Sequence, residues 1–163
     1  MATWSKLQKR LYLLFDPKIN LQIQCRLVRM DSRRGSTDIP RYWMTLDKEV
    51  IWDYPGQFKS ENGTVTRADS HKVVYYPHQT DVSLISELIR EYIDTPECEI
   101  LSKQFDNDHW GLVNILRAAD RRIGLRRWKT MEKKTHNAAA LKVLQARQMQ
   151  RPHCQKTARV RTH

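Results

Sequence analysis

Apolar residues near the start of the chain recur at spacings of three and four. Trp4, Leu7, Leu11 and Leu14 mark one side of a helix that Thr3 can cap and that stops before Asp16-Pro17. The period then changes to two. Ile19, Leu21, Ile23, Cys25 and Leu27 alternate with Asn20, Gln22, Gln24 and Arg26, the pattern of a strand with one buried face. The polar stretch from Ser32 to Asp38 predicts a loop. Tyr42, Met44 and Leu46 then alternate with Trp43 and Thr45, and Asp47-Lys48 is a tight turn into a second run from Val50 to Trp52, which predicts a hairpin. From Pro55 to Ser70 apolar residues are few and Gly56 and Glu61-Asn62-Gly63 intervene. That segment reads as a long mobile connection, with a strand following around Lys72 to Tyr76.

Beyond Thr80 the helical period returns. Leu84, Ile85, Leu88, Ile89 and Tyr92 line one face of a helix that opens with Asp81 near its positive end. Thr95-Pro96 starts a short helix whose core face is Cys98, Leu101 and Phe105. Asp108 is placed to cap a further helix with Leu112, Ile115, Leu116, Ala119 and Ile123 in one stripe, and Gly124 to end it in the left-handed conformation. Leu125–Lys134 and Ala138–Met149 are two more helices, the second preceded by the capping residue Asn137. Strands first and helices afterwards predict an α+β fold. Its expected form is a mainly antiparallel sheet of about four strands, packed with an N-terminal helix and a C-terminal helical half. Residues 3–149 are expected to form a single domain, and residues 150–163 a basic, disordered tail.

Composition fits that picture: the chain has 163 residues, 40% of them hydrophobic, with five Trp and six Tyr to supply buried area. Charge changes it. Residues 109–163 carry 14 Lys and Arg against 2 acids, whereas residues 1–108 carry 15 against 16, so the excess of +11 sits in the last third. A cationic surface concentrates polyanions, and the question becomes what this one faces. Cys25, Cys98 and Cys154 are odd in number and contain no C-x-x-C pair, which argues for reduced thiols in a cytoplasm. The sequence offers no long apolar run and no export signal, so a membrane partner is not expected.

The densest basic stretch is Arg117, Arg121, Arg122, Arg126, Arg127, Lys129, Lys133 and Lys134. Arg117 and Arg121 fall opposite the apolar stripe of their helix, a guanidinium fork matches phosphate oxygens, and Trp128 between the cations could stack on an unpaired base. These eight residues are the candidate nucleic-acid site. The plainer alternative makes them the solvated side of a core helix, with Trp128 in the core and some arginines paired to the acids of residues 81–108. Helices on either side of Gly124 also fit a helix-turn-helix, but the second is rich in charge and carries almost no Asn, Gln, Ser or Thr for reading base edges. Asp47, Glu49 and Asp53 raise the possibility of a metal-dependent nuclease, although acids beside strands are usually turn formers or partners of lysine. His71, His78 and His109 have no zinc spacing, and Asn62-Gly63-Thr64 is a turn in a chain without an export signal. No catalytic residue, metal ligand or cofactor motif stands out.

Several stretches resemble a group of short uncharacterised bacterial proteins, some of them carried on integron gene cassettes. They are Trp4-Ser5-Lys6-Leu7, Thr45-Leu46-Asp47, Glu49 to Asp53, Trp110-Gly111-Leu112, Ala119-Asp120-Arg121-Arg122-Ile123-Gly124 and Thr135-His136-Asn137 with Ala138, Ala139 and Arg147. The similarity spans residues 3–148 and is most specific at Ala119 to Gly124. It implies no activity, cofactor or site residue. The expected function is a non-enzymatic binding or accessory protein of a bacterial mobile cassette, with non-specific nucleic-acid binding as the leading alternative and a nuclease or other hydrolase third. A homodimer is the expected partner state, given the aromatic content and two sheet edges in need of cover.

Overall fold

Period-two alternation becomes a long antiparallel hairpin in the computed structural model, which describes residues 3–32, 35–54, 57–59, 65–67, 84–108 and 111–150. Strand β1 (Leu21–Ser32) pairs with β2 (Gly35–Leu46), and β2 with β3 (Glu49–Tyr54), giving a three-stranded antiparallel sheet in the order β1-β2-β3. The stretch expected to loop from Ser32 to Asp38 instead continues the ladder, through Asp31 opposite Ser36 to Ser32 opposite Gly35. Backbone pairing does not need apolar side chains, so cross-strand partners override the weak strand propensity of these residues. Between β2 and β3 the turn at Asp47-Lys48 forms as expected, both residues having positive φ (50° and 71°). Met44 faces Trp52 while Thr45 faces Val50, which leaves Ile51 as the extra residue of a bulge.

The segment read as a loop from Pro55 to Ser70 contains a second, two-stranded ladder of β4 (Gln57–Lys59) with β5 (Val65–Arg67). Three strands rather than four therefore make the main sheet. The strand expected at Lys72 to Tyr76 lies outside the described residues, as does the tail after Gln150.

Helix α1 (Trp4–Tyr12) buries Leu7 and Leu11, and the carbonyl of Thr3, rather than its hydroxyl, takes the first amides, those of Lys6 and Leu7. Helix α2 (Leu84–Asp94) packs on α1 with Ile85, Leu88, Ile89 and Tyr92 buried. From Pro96 to Lys103 the expected short helix is replaced by successive turns, in which Ile100 is buried and Cys98 exposed. The amides of Glu99, Ile100 and Ser102 bond to carbonyls three residues back, and Arg117 takes the carbonyls of Ile100 and Lys103 at the end of the segment.

Helix α3 (Leu112–Ala119) opens as the sequence implied. The Asp108 carboxylate accepts the amides of Leu112 (2.9 Å) and Val113 (3.0 Å). Its predicted stripe of Leu112, Ile115, Leu116 and Ala119, with Ile123 beyond, is fully buried, and α3 packs chiefly on α5 (Ala138–Met149). Gly124 does not adopt the expected left-handed conformation. It is extended (φ −79°, ψ 171°) and precedes α4 (Leu125–Lys134), because the Asp120 carboxylate already closes the turn by accepting the Arg122 amide. Among the described residues the left-handed glycine is Gly111, at φ 68°, where a Cβ would sit 2.9 Å from Asn137 Nδ2. Asn137 caps α5 as predicted, accepting the Ala140 amide at 3.1 Å, and donates to the Gly111 carbonyl at 2.8 Å. One cluster of buried side chains joins the inner sheet face (Leu21, Ile23, Tyr42, Met44) to α1, α2, α3, Trp128 of α4 and α5.

Candidate nucleic-acid interface

The eight basic residues singled out from the sequence separate into two groups. Arg117 and Arg122 have their guanidinium groups engaged inside the fold. Arg117 is half-buried, donates from Nε to Ile100 O (2.8 Å) and from Nη2 to Lys103 O (2.7 Å), and lies over the Phe105 ring. Burial pulls its pKa below the ordinary value. Arg122 pairs with the buried Asp120 carboxylate at 2.7 Å and donates from Nη1 to the Thr95 carbonyl at 3.0 Å. That hydrogen-bonded pairing raises its pKa. The remaining six, Arg121, Arg126, Arg127, Lys129, Lys133 and Lys134, are exposed.

Helix α4 carries five of those six. At about 100° per residue they occupy an arc of roughly 160° opposite the buried Trp128 and the half-buried Met131, and from Arg126 to Lys134 they run about 12 Å along the axis. Among the described residues none of the five forms an ion pair. The one acid of α4, Glu132, lies off this arc and accepts a hydrogen bond from Gln148. Lys133 and Lys134 also complement the negative end of α4, which accounts for two of the charges locally. Arg126, Arg127 and Lys129 have no such structural use. Pairing of the C-terminal arginines with acids of residues 81–108 is not seen among the described ion pairs: Arg122 takes Asp120 and Arg147 takes Asp16. Trp128 is core, 3% exposed, with the Arg147 guanidinium 3.6 Å from its ring centroid.

Beside the α4 face lies a cavity of about 550 Å³, bounded by the end of α4, residues 135–137, Leu101 and the α3 residues Asn114 and Arg117. Arg127, Lys134 and His136 line it, and no acid does.

Two buried polar clusters escaped the sequence reading. Asp120 is fully buried; its Oδ2 accepts Tyr92 Oη (2.7 Å) and Arg122 Nη2 (2.7 Å), and its Oδ1 accepts the Arg122 amide (2.9 Å). Arg147, 3% exposed, donates to Asp16 Oδ2 (3.0 Å), Ala118 O (2.8 Å) and Ile123 O (3.2 Å). Both clusters clamp the turn after α3. That turn is also tied to the first helix's exit by Asp16 N to Ala119 O and Arg121 N to Leu14 O. A signal for Arg147 existed: it continues the spacing of Ala140, Val143 and Leu144, so a charge stands on an apolar face.

Burial first, then the Asp120 carboxylate, pushes the Tyr92 phenol well above its ordinary value, and burial pushes Tyr42, bonded to Ser86, up to about 12. Both phenols therefore hold their protons more tightly folded than unfolded. The stability this contributes is complete below the unfolded tyrosine pKa of about 10 and is lost as pH rises through the folded values. Unfolding free energy is expected to fall above pH ~10, by up to about 1.4 kcal/mol per pH unit for each tyrosine, and Tyr92→Phe to flatten that decline. Denaturant titrations at stepped alkaline pH measure it.

The acids weighed as a metal site do not converge. Asp53 is held by Arg41 through two hydrogen bonds (3.1 and 2.6 Å), Glu49 pairs with Lys142 (3.2 Å), and Asp47 occupies the turn. No group of three or more His, Cys, Asp or Glu side chains is placed to hold a metal ion among the described residues. His71, His78 and His109 lie outside them. Cys25 and Cys98 are free thiols, and no described helix is long and apolar enough to cross a membrane.

A family model matches residues 3–148, from the cap of α1 to the last turn of α5. The chain belongs to the SF0329 protein family. The matched SF0329 span contains both buried clusters and the whole α4 face, and it stops short of the basic tail. Ala119 to Gly124, the most specific stretch of the resemblance read from the sequence, is the clamped turn, so its distinctive residues Asp120 and Arg122 are explained by folding. No curated protein and no solved structure matches the chain.

Proposed function

We propose that this SF0329 family member is a non-enzymatic accessory protein that binds the phosphate backbone of nucleic acid through the outer face of α4. The observation that carries this reading is the arc of five exposed cations without an ion-pair partner among the described residues. Charges left unpaired along about 12 Å suit a duplex that presents one phosphate per ~1.7 Å of axis, and displaced counterions supply the driving force. Sequence reading is not expected, because the arc offers Thr130 but no Asn or Gln to a base edge. The similarity of Trp4 to Leu7 and Ala119 to Gly124 to cassette-borne proteins supports a bacterial, mobile-cassette setting, and the free thiols of Cys25 and Cys98 support a cytoplasmic one.

Anisotropy of a labelled duplex, titrated with the full chain at several salt concentrations, tests the proposal. The expected log–log slope is about −4, for four to five neutralised phosphates. Changing Arg126, Lys129 and Lys133 together to Glu should weaken binding at least about tenfold, whereas changing Arg151, Lys156, Arg159 and Arg161 to Ala should leave most of it. Binding that survives the first set and vanishes with the second would assign it to the terminal charges and overturn the α4 reading. Absence of binding at about 50 mM salt would overturn it outright.

A further inference from the structure

We propose that the cavity at the end of α4 receives one unpaired nucleotide, its phosphate against Arg127 and Lys134 and its base over Leu101 and Met131, so that the protein prefers single-stranded to duplex nucleic acid. This rests on the α4 reading above. A volume of about 550 Å³ lies within the range of sites that enclose a small molecule. Its lining combines an apolar floor, Leu101 and Met131, with the cationic groups of Arg127 and Lys134, both exposed, and no acid. That pairing of a greasy surface with positive charge is the chemistry of a base and its phosphate.

The polar groups in the wall divide by availability. Asn137 is committed to Gly111 O and the Ala140 amide, Thr135 Oγ1 accepts the Asn137 amide, and Thr130 Oγ1 donates to the Arg126 carbonyl. These bonds make a rigid wall. Asn114, half-buried on α3, makes no side-chain hydrogen bond among the described residues, so its carboxamide is free to offer a donor and an acceptor to a base edge. Arg127 and Lys134 border the α4 arc on its Met131 side, at about 40–60° from that residue. A backbone tracked along α4 therefore passes Arg127 and Lys134, two of the residues that line the cavity. A base held in a duplex cannot enter it, whereas an unpaired one can turn in.

The test compares a labelled oligothymidylate with a duplex of equal length at low salt, for the wild type, for Asn114→Leu and for Leu101→Trp, which puts a larger side chain into the cavity lining without touching an α4 residue. The single strand is expected to bind at least fivefold tighter in the wild type. Each variant should bring that ratio towards one and leave duplex affinity within twofold. Thermal unfolding shows whether each variant folds; if Leu101→Trp does not, Asn114→Leu decides. Equal affinity for both ligands in the wild type, or a preference that both folded variants keep, overturns the cavity proposal and leaves the α4 reading intact. If neither nucleic acid binds, the α4 reading fails, and thymidine monophosphate followed by amide NMR then decides the cavity. Shifts confined to the cavity lining, at Leu101, Asn114, Arg127, Met131 and residues 134–137, would keep it as a nucleotide site, and their absence would remove it.

Discussion

Arg147→Ala is expected to destabilise the protein by about 3–5 kcal/mol, the range for removing one partner from a buried charged pair. The loss has several parts. Asp16, 14% exposed at its side chain, is left without its cation, and the carbonyls of Ala118 and Ile123 lose donors in a place where water cannot readily replace them. Trp128 loses the guanidinium that covers its ring. Lysine is not an adequate substitute. A point ammonium cannot reach a carboxylate and two carbonyls in one plane while stacking on indole, so Arg147→Lys should recover only a minor share. Urea unfolding of the three proteins measures this. A loss under about 1 kcal/mol for Arg147→Ala would show that the cluster is dispensable.

Asp120→Ala is expected to be of similar size, about 3–5 kcal/mol. It removes the acceptor of Tyr92 Oη and the counter-charge of Arg122 in one step, and it deletes the side chain that turns the backbone at the Arg122 amide. Asp120→Asn keeps the shape and an acceptor but not the charge, and should fall between wild type and alanine. Since Asp120 and Arg147 both hold the turn after α3, the double alanine variant should lose less than the sum of the singles. Additive losses would mean that the turn does not couple them.

Much of the secondary structure was legible because burial on one side of an element leaves a period in the sequence. Leu7 and Leu11, Leu84 to Tyr92, Leu112 to Ala119 and the alternation of Leu21, Ile23, Tyr42 and Met44 all carried that mark, and their burial follows it. Where ordering comes from backbone partners, no such mark exists. The paired ends of β1 and β2, Asp31 opposite Ser36 and Ser32 opposite Gly35, are polar; the three-residue strands β4 and β5 are too short to show a period; and the turns from Pro96 to Lys103 have two carbonyls held by Arg117 from α3.

The candidate site divides in the same manner. Sequence alone determined that positive charge accumulates between Arg117 and Lys134, because charge along the chain is read directly from composition. That Trp128 is core, 3% exposed, and not a stacking residue among those cations was decided by the packing of α4. Which of those cations remain available was decided by tertiary structure. The sequence puts Arg117 and Arg121 on one helix, yet α3 ends at Ala119, so Arg117 closes on the carbonyls of a distant turn while Arg121 lies in the turn beyond the helix and stands in solvent. Arg147 and Asp16 are 131 positions apart, and Arg122 meets Thr95 across 27. Whether a charge is buried or free depends on the partner that the folded chain brings within about 3 Å, and such encounters leave no local periodicity to read.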